Sequence, residues 1–254
     1  MVVPLAFGWR DLLFDNWRVD EAVLDAHLPA ALEVQPFDGS GWLSVVPFVN
    51  VDTRPRGLPP RAGVDLPELN LRTYVTCDGE PGVYFFSLDA DGLLAVLGAR
   101  LTHHLPYYYA RIGLRRHVGS RHSADGRPPD ERERFPRAER VRFESRRLHP
   151  GDRPARYLAS YGPTGEAFVP EPGTLAAFLT ERRRLFTQAT DGTIRYTDVS
   201  HEPWTLYPAD ATVRENTLFE ANAFAHPGGE PVRYYSPGLD VVTSRSKRWS
   251  DRHE

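Results

Sequence analysis

Four polar side chains stand in a row along one face of a predicted β-strand, and they are Glu68, Asn70, Arg72 and Tyr74. The alternate positions of the same strand point the other way and form an ordinary core face, made of Leu69, Leu71, Thr73, Val75 and Cys77. A carboxyl group can move a proton, and a guanidinium group matches the geometry of a carboxylate or another oxyanion. Two interpretations stay open: the row is the solvent-exposed edge of an antiparallel sheet, or it is the polar wall of a cavity.

Other side chains able to do chemistry are few. His103, His104, His201 and Glu202 are the available metal ligands, but neighbouring histidines on a helix diverge by about 100°, and no spacing such as H-E-x-x-H occurs. We therefore expect neither a metal nor a cofactor. The only lysine, Lys247, lies in the polar run SRSKRWSDRHE. Imine-forming catalysis needs a lysine in a desolvated pocket, so we do not expect it here.

The polar row belongs to a stretch from Glu68 to Ala110 around which the other segments are expected to pack. Turn residues at Asp78-Gly79 predict a hairpin to a second strand, Val83 to Leu88. Apolar residues at helical spacing predict a helix from Ala90 to Leu101, with Arg100 on its flank. Pro106 ends the helix, and Tyr107-Tyr108-Tyr109 begins a third strand.

The rest of the chain is predicted to be rich in β-strands. Expected strands are Trp9 to Trp17, Leu32 to Val34, Gly41 to Val51, a long hairpin of Ala110–Val118 with Arg140–Leu148, Pro154 to Tyr161, a hairpin around Asp191-Gly192, Val232 to Tyr235 and Leu239 to Thr243. Expected helices follow the caps Asp20 and Thr174 and span Leu218 to Phe224. Thr53 to Pro67, with four prolines, is predicted to be a loop.

Composition sets the broad class. The 254 residues, 41% of them hydrophobic, suffice for a sizeable core. No apolar run approaches the ~18 residues of a membrane helix, and we expect no membrane partner. The single cysteine, Cys77, and the absence of a secretory signal pattern favour a cytoplasmic location. The sequence allows a homo-oligomer without specifying one.

One segment carries a concentrated positive charge. Residues Arg111 to Arg147 contain twelve arginines and six acids in a chain of net charge −3. Such a segment could bind RNA or another protein, but its aromatic residues are sparse, and charge runs are usually a solvated surface. A nucleic-acid or protein-interaction module is therefore the alternative, and a solvated hairpin is the simpler interpretation.

Eight blocks in order resemble the YqjF-like proteins, an uncharacterised family. They are WRDLLFDNW, LPAALEVQPFDG, GWLSVVPF, PELNLRTYV, PGVYFFSLDA, AR…LPYYYA, GTLAAFLTER and HEPW. The resemblance implies the acetoacetate decarboxylase-like fold: α+β, mainly antiparallel β, with a barrel-like sheet around a central cavity and a few flanking helices. It implies a single domain over residues 1–246, followed by a polar tail, 247–254.

The resemblance to acetoacetate decarboxylase itself is partial. Its N-terminal Arg-acid pair is similar to Arg10-Asp11, its pocket glutamate to Glu68, and its His-Glu-x-Trp run to His201-Glu202-Pro203-Trp204. Its Gly-Arg-Glu motif is imperfectly matched by Gly98-Ala99-Arg100. Its Pro-Lys-Lys motif, which supplies the Schiff-base lysine, reads Pro106-Tyr107-Tyr108 here. A phenol cannot form an imine, so the decarboxylase mechanism is not expected.

The resemblance implies a polar internal pocket for a small anionic organic molecule, a carboxylate or keto acid. Glu68 would be the acid or base, and Tyr107 would donate a hydrogen bond to a developing oxyanion. The expected ligand-binding residues are Arg10, Arg72, Arg100, Tyr108, Glu202 and Trp204. Such a site could serve a lysine-independent lyase- or isomerase-like enzyme, or a metabolite sensor. The polar cluster could instead be a structural ion-pair network.

Overall fold

β-Structure dominates the computed structural model, which describes residues 4–92, 105–118 and 139–253. In these ranges the strands are β1 Leu5–Val19, β2 Glu33–Val34, β3 Gly41–Pro55, β4 Val64–Cys77, β5 Glu80–Ala90, β6 Tyr107–Val118, β7 Glu139–Arg147, β8 Arg156–Pro163, β9 Arg184–Gln188, β10 Ile194–His201, β11 Tyr207–Asn216, β12 Val232–Thr243 and β13 Lys247–Arg248. The same ranges contain three short helices, α1 Glu21–Asp25, α2 Leu175–Thr180 and α3 Leu218–Ala221, and 3₁₀ turns at Pro60–Ala62 and Trp249–His253.

Nine strands close into a ring in the order β5-β6-β7-β8-β11-β12-β1-β3-β4. Strands β9 and β10 connect β5 to β12 along a second path, so seven strands (β1, β3, β4, β5, β9, β10 and β12) close a second ring. All pairs are antiparallel except β5 with β6 and β5 with β9. The expected barrel-like, mainly antiparallel sheet is therefore confirmed.

The five strands common to both rings form a shared wall with two buried faces. Leu69 and Leu71 of β4 face the large apolar core of the nine-strand ring. Glu68 and Asn70, from the alternate positions, are 5% and 3% exposed and face the seven-strand ring. The interpretation of the polar row as a solvent-exposed edge is therefore wrong, because Glu68 and Asn70 line a cavity bounded by β9 and β10, and Arg72 and Tyr74 donate to Leu179 of α2.

A bulge in β1 changes which residues face the seven-strand ring. Asp11 adopts a positive φ of 56°, and the pairing of β1 with β3 shifts register between Arg10 and Asp15. Trp9 and Leu12, which are three residues apart, consequently both line the seven-strand ring. A regular strand would place them on opposite faces. The extra residue of the bulge brings both side chains to the same face.

Several element boundaries differ from the predictions. The expected loop Thr53 to Pro67 is strand at both ends, because β3 continues to Pro55, and β4 begins at Val64, opposite Thr53. Strand β12 is continuous where two strands were predicted, and β11 was not predicted. The predicted helix from Ala90 to Leu101 falls outside the described residues after position 92, and Ala90 itself ends β5.

Other predictions are confirmed. The hairpin of β6 with β7 has Ala110 opposite Arg147, and the side chains of Asp20 and Thr174 cap α1 and α2. The segment expected to be a polar tail instead joins the sheet, since β13 pairs with β10 and Trp249 packs on Phe186. The single domain over residues 1–246 stays a prediction. No helix in the described ranges is long and apolar enough to cross a membrane.

Candidate functional site

The seven-strand ring encloses a cavity of about 340 Å³. Its lining is mostly apolar, and its charged side chains lie on β4, on the segment that joins α2 to β9 and at the start of β9. The shared wall supplies Glu68, Asn70 and Arg72, and the connecting segment supplies Arg182. The structure thus brings together the two halves of the chain at this cavity.

Glu68 is the buried acid of the cavity. Tyr107 donates a hydrogen bond from its hydroxyl group to Glu68 Oε2 at 3.1 Å, and Asn50 Nδ2 donates to the same oxygen at 3.1 Å. Burial raises the pKa of Glu68 from 4.5 to about 7, against the lowering effect of hydrogen bonds from Tyr107, Asn50 and Asn70. The negative charge of Asp89 adds to the rise. Glu68 therefore exchanges its proton near neutral pH, as an acid–base group must.

Tyr107 keeps its proton under the same conditions. Burial, followed by the charge of Glu68 and the hydrogen bond to it, raises the pKa of Tyr107 well above its usual value. The phenol is therefore a hydrogen-bond donor throughout the neutral range. The pair of Glu68 and Tyr107 gives the cavity two groups that can hold a proton.

Two arginines bring positive charge to the cavity without a carboxylate partner. Arg72 Nη2 donates to the carbonyl oxygen of Leu179 at 3.1 Å, while its buried Nε has no hydrogen-bond partner among the described residues. Arg182 donates to the carbonyl of Phe178 and to Gln35, while its buried Nη2 likewise has no described partner. Neither guanidinium forms an ion pair with a carboxylate in the described part of the chain.

The charge of Arg182 is costly where it lies. Burial lowers the pKa of Arg182 from 12.5 to about 10, an effect that Tyr74 opposes and the nearby positive charge of Arg72 increases. Arg182 nevertheless stays protonated at neutral pH. Two like charges that are partly desolvated and unpaired favour an anion beside them.

An aromatic wall adjoins these polar groups. Trp9 and Trp204 stack with ring centroids 5.5 Å apart and an interplanar angle of 9°. Trp204 is held in place because its Nε1 donates to the carbonyl oxygen of Thr180 at 2.9 Å and its backbone N–H donates to Glu181 at 2.8 Å. Phe14 meets Trp204 edge to face, and the guanidinium of Arg72 lies 5.5 Å from the Phe14 ring centroid.

Glu68, Arg72, Tyr107 and Trp204 are the predicted site residues that the structure places along the cavity wall. Arg10 lies elsewhere: it is on the partly exposed side of β1 and pairs with Asp240 at 2.7 Å. Its neighbour Trp9 takes the inward position, since adjacent strand residues point to opposite faces.

Two further predicted ligand-binding residues also point away from the cavity. Tyr108 stacks under the guanidinium of Arg147, which is 4.0 Å from the ring centroid, and Arg147 forms a buried ion pair with Asp89 at 2.8 Å. Glu202 is exposed. Arg100, the last predicted residue, lies outside the described residues.

Sequence reasoning missed Arg182. It lies in the run Glu181-Arg182-Arg183-Arg184, which follows α2. In this run Arg184 forms ion pairs with acids of two other strands, Asp198 and Glu80. A cluster of arginines after a short helix was the available signal. Nothing in the local pattern distinguishes the member that turns inward.

Histidines do not assemble into a metal site in the described residues. His201 Nδ1 lies 2.6 Å from the carbonyl oxygen of Glu202, and burial lowers the pKa of His201. No group of three His, Cys, Asp or Glu side chains converges as metal ligands within the described ranges. His103 and His104 fall outside those ranges.

Comparison with known sequences identifies the family. The profile of DUF2071, uncharacterized conserved proteins, matches residues 6–240. The chain belongs to this family. The uncharacterized protein YqjF of Bacillus subtilis (strain 168) is 37% identical over 243 residues, covering 95% of this chain and 91% of YqjF. The expected membership of the YqjF-like family is confirmed.

Solved structures of the acetoacetate decarboxylase-like class share the fold. An acetoacetate decarboxylase-like enzyme from Sphingomonas wittichii RW1 is 16% identical, with a TM-score of 0.60 over 98% of this chain and 93% of that one. The enduracididine biosynthesis enzyme MppR, complexed with pyruvate, is 15% identical, with a TM-score of 0.64 over 99% and 92%. Acetoacetate decarboxylase from Legionella pneumophila is 15% identical, with a TM-score of 0.56 over 100% and 90%. At these identities the likeness shows the fold alone.

Proposed function

We propose that the cavity of the seven-strand ring binds a small carboxylate or keto-acid-like molecule. The observation that carries this proposal is the pair Arg72 and Arg182, which line the cavity and, in the described part of the chain, form no ion pair with a carboxylate. A buried charge is costly unless it is paired, and an arginine fork suits a carboxylate. The pyruvate complex of MppR shows a keto acid bound to a protein of the same fold.

The neighbouring groups suit proton transfer next to a carbonyl. Glu68, with a pKa of about 7, can take or give a proton. Tyr107 keeps its single hydroxyl proton, and when Glu68 is protonated Tyr107 can turn this donor from Glu68 to an oxygen that gains negative charge. Lys247, the only lysine, is exposed on β13, so this chain offers the cavity no lysine amine for an imine. A lysine-independent lyase- or isomerase-like reaction fits these groups better than Schiff-base decarboxylation.

The alternative, an RNA- or protein-interaction module in the segment 111–147, has no comparable support. Arg116, Arg140 and Arg147 already pair with carboxylates of the same chain. Residues 119–138 of the segment lie outside the described ranges. A cytoplasmic location and a homo-oligomeric state stay predictions.

Thermal melting against a panel of pyruvate, acetoacetate, acetate and 2-oxobutyrate tests the proposal. A ligand present at one hundred times its Kd adds about 2.7 kcal/mol to the free energy of unfolding, which is a rise in Tm of roughly 5–10 °C for a chain of this size. We expect at least one acid to raise the Tm of the native protein.

Variants then locate the effect. Arg72→Gln and Arg182→Gln should each abolish the ligand-induced rise in Tm. Arg10→Gln should retain it, because Arg10 is partly exposed and pairs with Asp240 outside the cavity. Because each variant is compared with itself with and without the acid, its own stability does not enter. A rise that survives in Arg72→Gln and Arg182→Gln, or no rise with any acid, contradicts the proposal.

A further inference from the structure

Apolar side chains lie beside the polar row of the cavity on both neighbouring strands. By the strand register, Glu68 has Phe48 beside it on β3 and Ala90 beside it on β5, and Asn70 has Val46 beside it on β3. All three neighbours are apolar and line the cavity. Asn50 of β3 and Tyr107 of β6 also line the cavity, but both already donate to Glu68. A ligand that places one polar group against β4 therefore meets mainly apolar surface on both sides.

The wall opposite β4 carries no unpaired charge among the described residues. It is formed by Leu185 of β9, Val199 and Thr197 of β10 and Thr243 of β12. Arg184 also reaches the lining, but Asp198 and Glu80 pair with its guanidinium at 2.8 and 3.3 Å. Among the described residues the cavity thus offers one cationic place, beside Arg72 and Arg182, and a second carboxylate on the ligand would have no counterpart there.

The volume is larger than a three-carbon acid requires. The cavity measures about 340 Å³, whereas one water takes up roughly 30 Å³ of the liquid, so the space corresponds to about eleven waters. It falls at the lower end of pockets that hold drug-sized ligands, about 300–1,000 Å³. Pyruvate alone would leave most of this apolar space without contacts.

The stacked indoles give the apolar space an aromatic side. Trp9 and Trp204 lie nearly parallel, and Phe48 and Phe14 meet them edge to face. Aromatic rings pack favourably against such surfaces in offset or edge-to-face arrangements. Trp204 is fixed by two hydrogen bonds, so this surface is preformed and costs little ordering when a ring binds.

We propose that the ligand is an aromatic monocarboxylic acid, in which the carboxylate lies between Arg72 and Arg182 and the ring lies against Trp9 and Trp204. This inference rests on the proposed function, because it names the substrate class of the same cavity. Three observations favour a ligand of this kind over a small or a dicarboxylic keto acid: the apolar flanks of the polar row, the volume, and the one unpaired cationic place that the described part of the chain provides.

Calorimetric titration with matched acids tests the inference. Phenylpyruvate and pyruvate share a head group and differ by a phenyl ring, 2-oxoglutarate adds a second carboxylate, and octanoate carries an alkyl body. We expect phenylpyruvate to bind at least tenfold more tightly than pyruvate, since its ring buries apolar area. We expect 2-oxoglutarate to bind no more tightly than pyruvate, and octanoate to bind less tightly than phenylpyruvate.

A cavity-filling variant distinguishes the contribution of the ligand's ring to binding from that of its head group. Val199→Phe adds a ring to the wall opposite β4 and should weaken phenylpyruvate at least tenfold while leaving pyruvate within about twofold. The same substitution at the exposed Val23 of α1 should change neither. If Val199→Phe does not fold, the ranking of the four acids on the native protein still decides.

The outcomes are distinguishable. Equal or tighter binding of pyruvate overturns the aromatic ligand and leaves the anion pocket standing. If octanoate binds more tightly than phenylpyruvate, the proposal that the apolar part of the ligand is aromatic is overturned. If 2-oxoglutarate binds more tightly than pyruvate, the proposal of a monocarboxylic acid is overturned. If none of the four acids binds, the proposed function falls together with this inference.

Discussion

Replacing Glu68 with glutamine should change how stability depends on pH. The pKa of Glu68 is raised from 4.5 to about 7 because burial disfavours the carboxylate. Between these two values the folded chain holds a proton that the unfolded chain has released, so the free energy of unfolding falls as pH rises through this window. One pKa unit corresponds to about 1.4 kcal/mol, so the full shift is worth about 3 kcal/mol, and about 2 to 3 kcal/mol of it falls between pH 5 and pH 8.

Glu68→Gln removes this dependence while keeping a neutral side chain of the same shape. Urea unfolding of both proteins at pH 5 and pH 8 should show that the native protein loses about 2 to 3 kcal/mol more than the variant over this interval. Asp15 and Asp89, whose pKa values burial raises to about 6, titrate in both proteins, so their contributions largely cancel.

The matched control is Glu220→Gln, since Glu220 is exposed on α3. Its unfolding free energy should follow that of the native protein at both pH values. Equal losses in the native protein and in Glu68→Gln would refute the reasoning, because they would mean that Glu68 is ionised in the folded chain already at pH 5.

Two further predictions concern the frame of the site. Arg147→Met leaves Asp89 buried without its ion-pair partner, so the free energy of unfolding should fall by about 3 kcal/mol at pH 8. The loss should be smaller at pH 5, where Asp89 is protonated. An equal loss at both pH values in urea unfolding would contradict this. Gly238→Ala places a methyl group against the carbonyl of Trp9 at a φ of 119° and should cost more than about 2 kcal/mol, whereas Gly113→Ala, with open space around it, should cost under about 0.5 kcal/mol. Similar melting temperatures for the two alanine variants would count against the second prediction.

Much of the sheet could be predicted from local signals. Period-two alternation sorted β4 into the Leu69–Leu71 core face and the Glu68–Asn70 cavity face, and turn residues located the hairpin at Asp78. Strand β11 was missed because its inward positions are mostly small, such as Ala209 and Ala211, and a sequence window cannot distinguish these from a polar loop.

The candidate site was predicted only in part, because it depends on geometry that local patterns do not encode. The positive φ of Asp11 decides which residues of β1 face the cavity, and it excludes Arg10 in favour of Trp9. Arg182 reaches the cavity because the chain turns after α2, about 110 residues beyond Arg72. The closure of the second ring by β10 and β12 is likewise a long-range pairing.

A crystal structure of the protein with phenylpyruvate tests the central claim, an anion pocket in the seven-strand ring, most directly. We expect the carboxylate inside the cavity, with oxygens about 3 Å from guanidinium nitrogens of Arg72 and Arg182. Phenylpyruvate bound only outside the ring, for example in the surface groove beside Arg56 and Arg183, would contradict it. So would a saturating soak that leaves both cavity guanidiniums uncontacted.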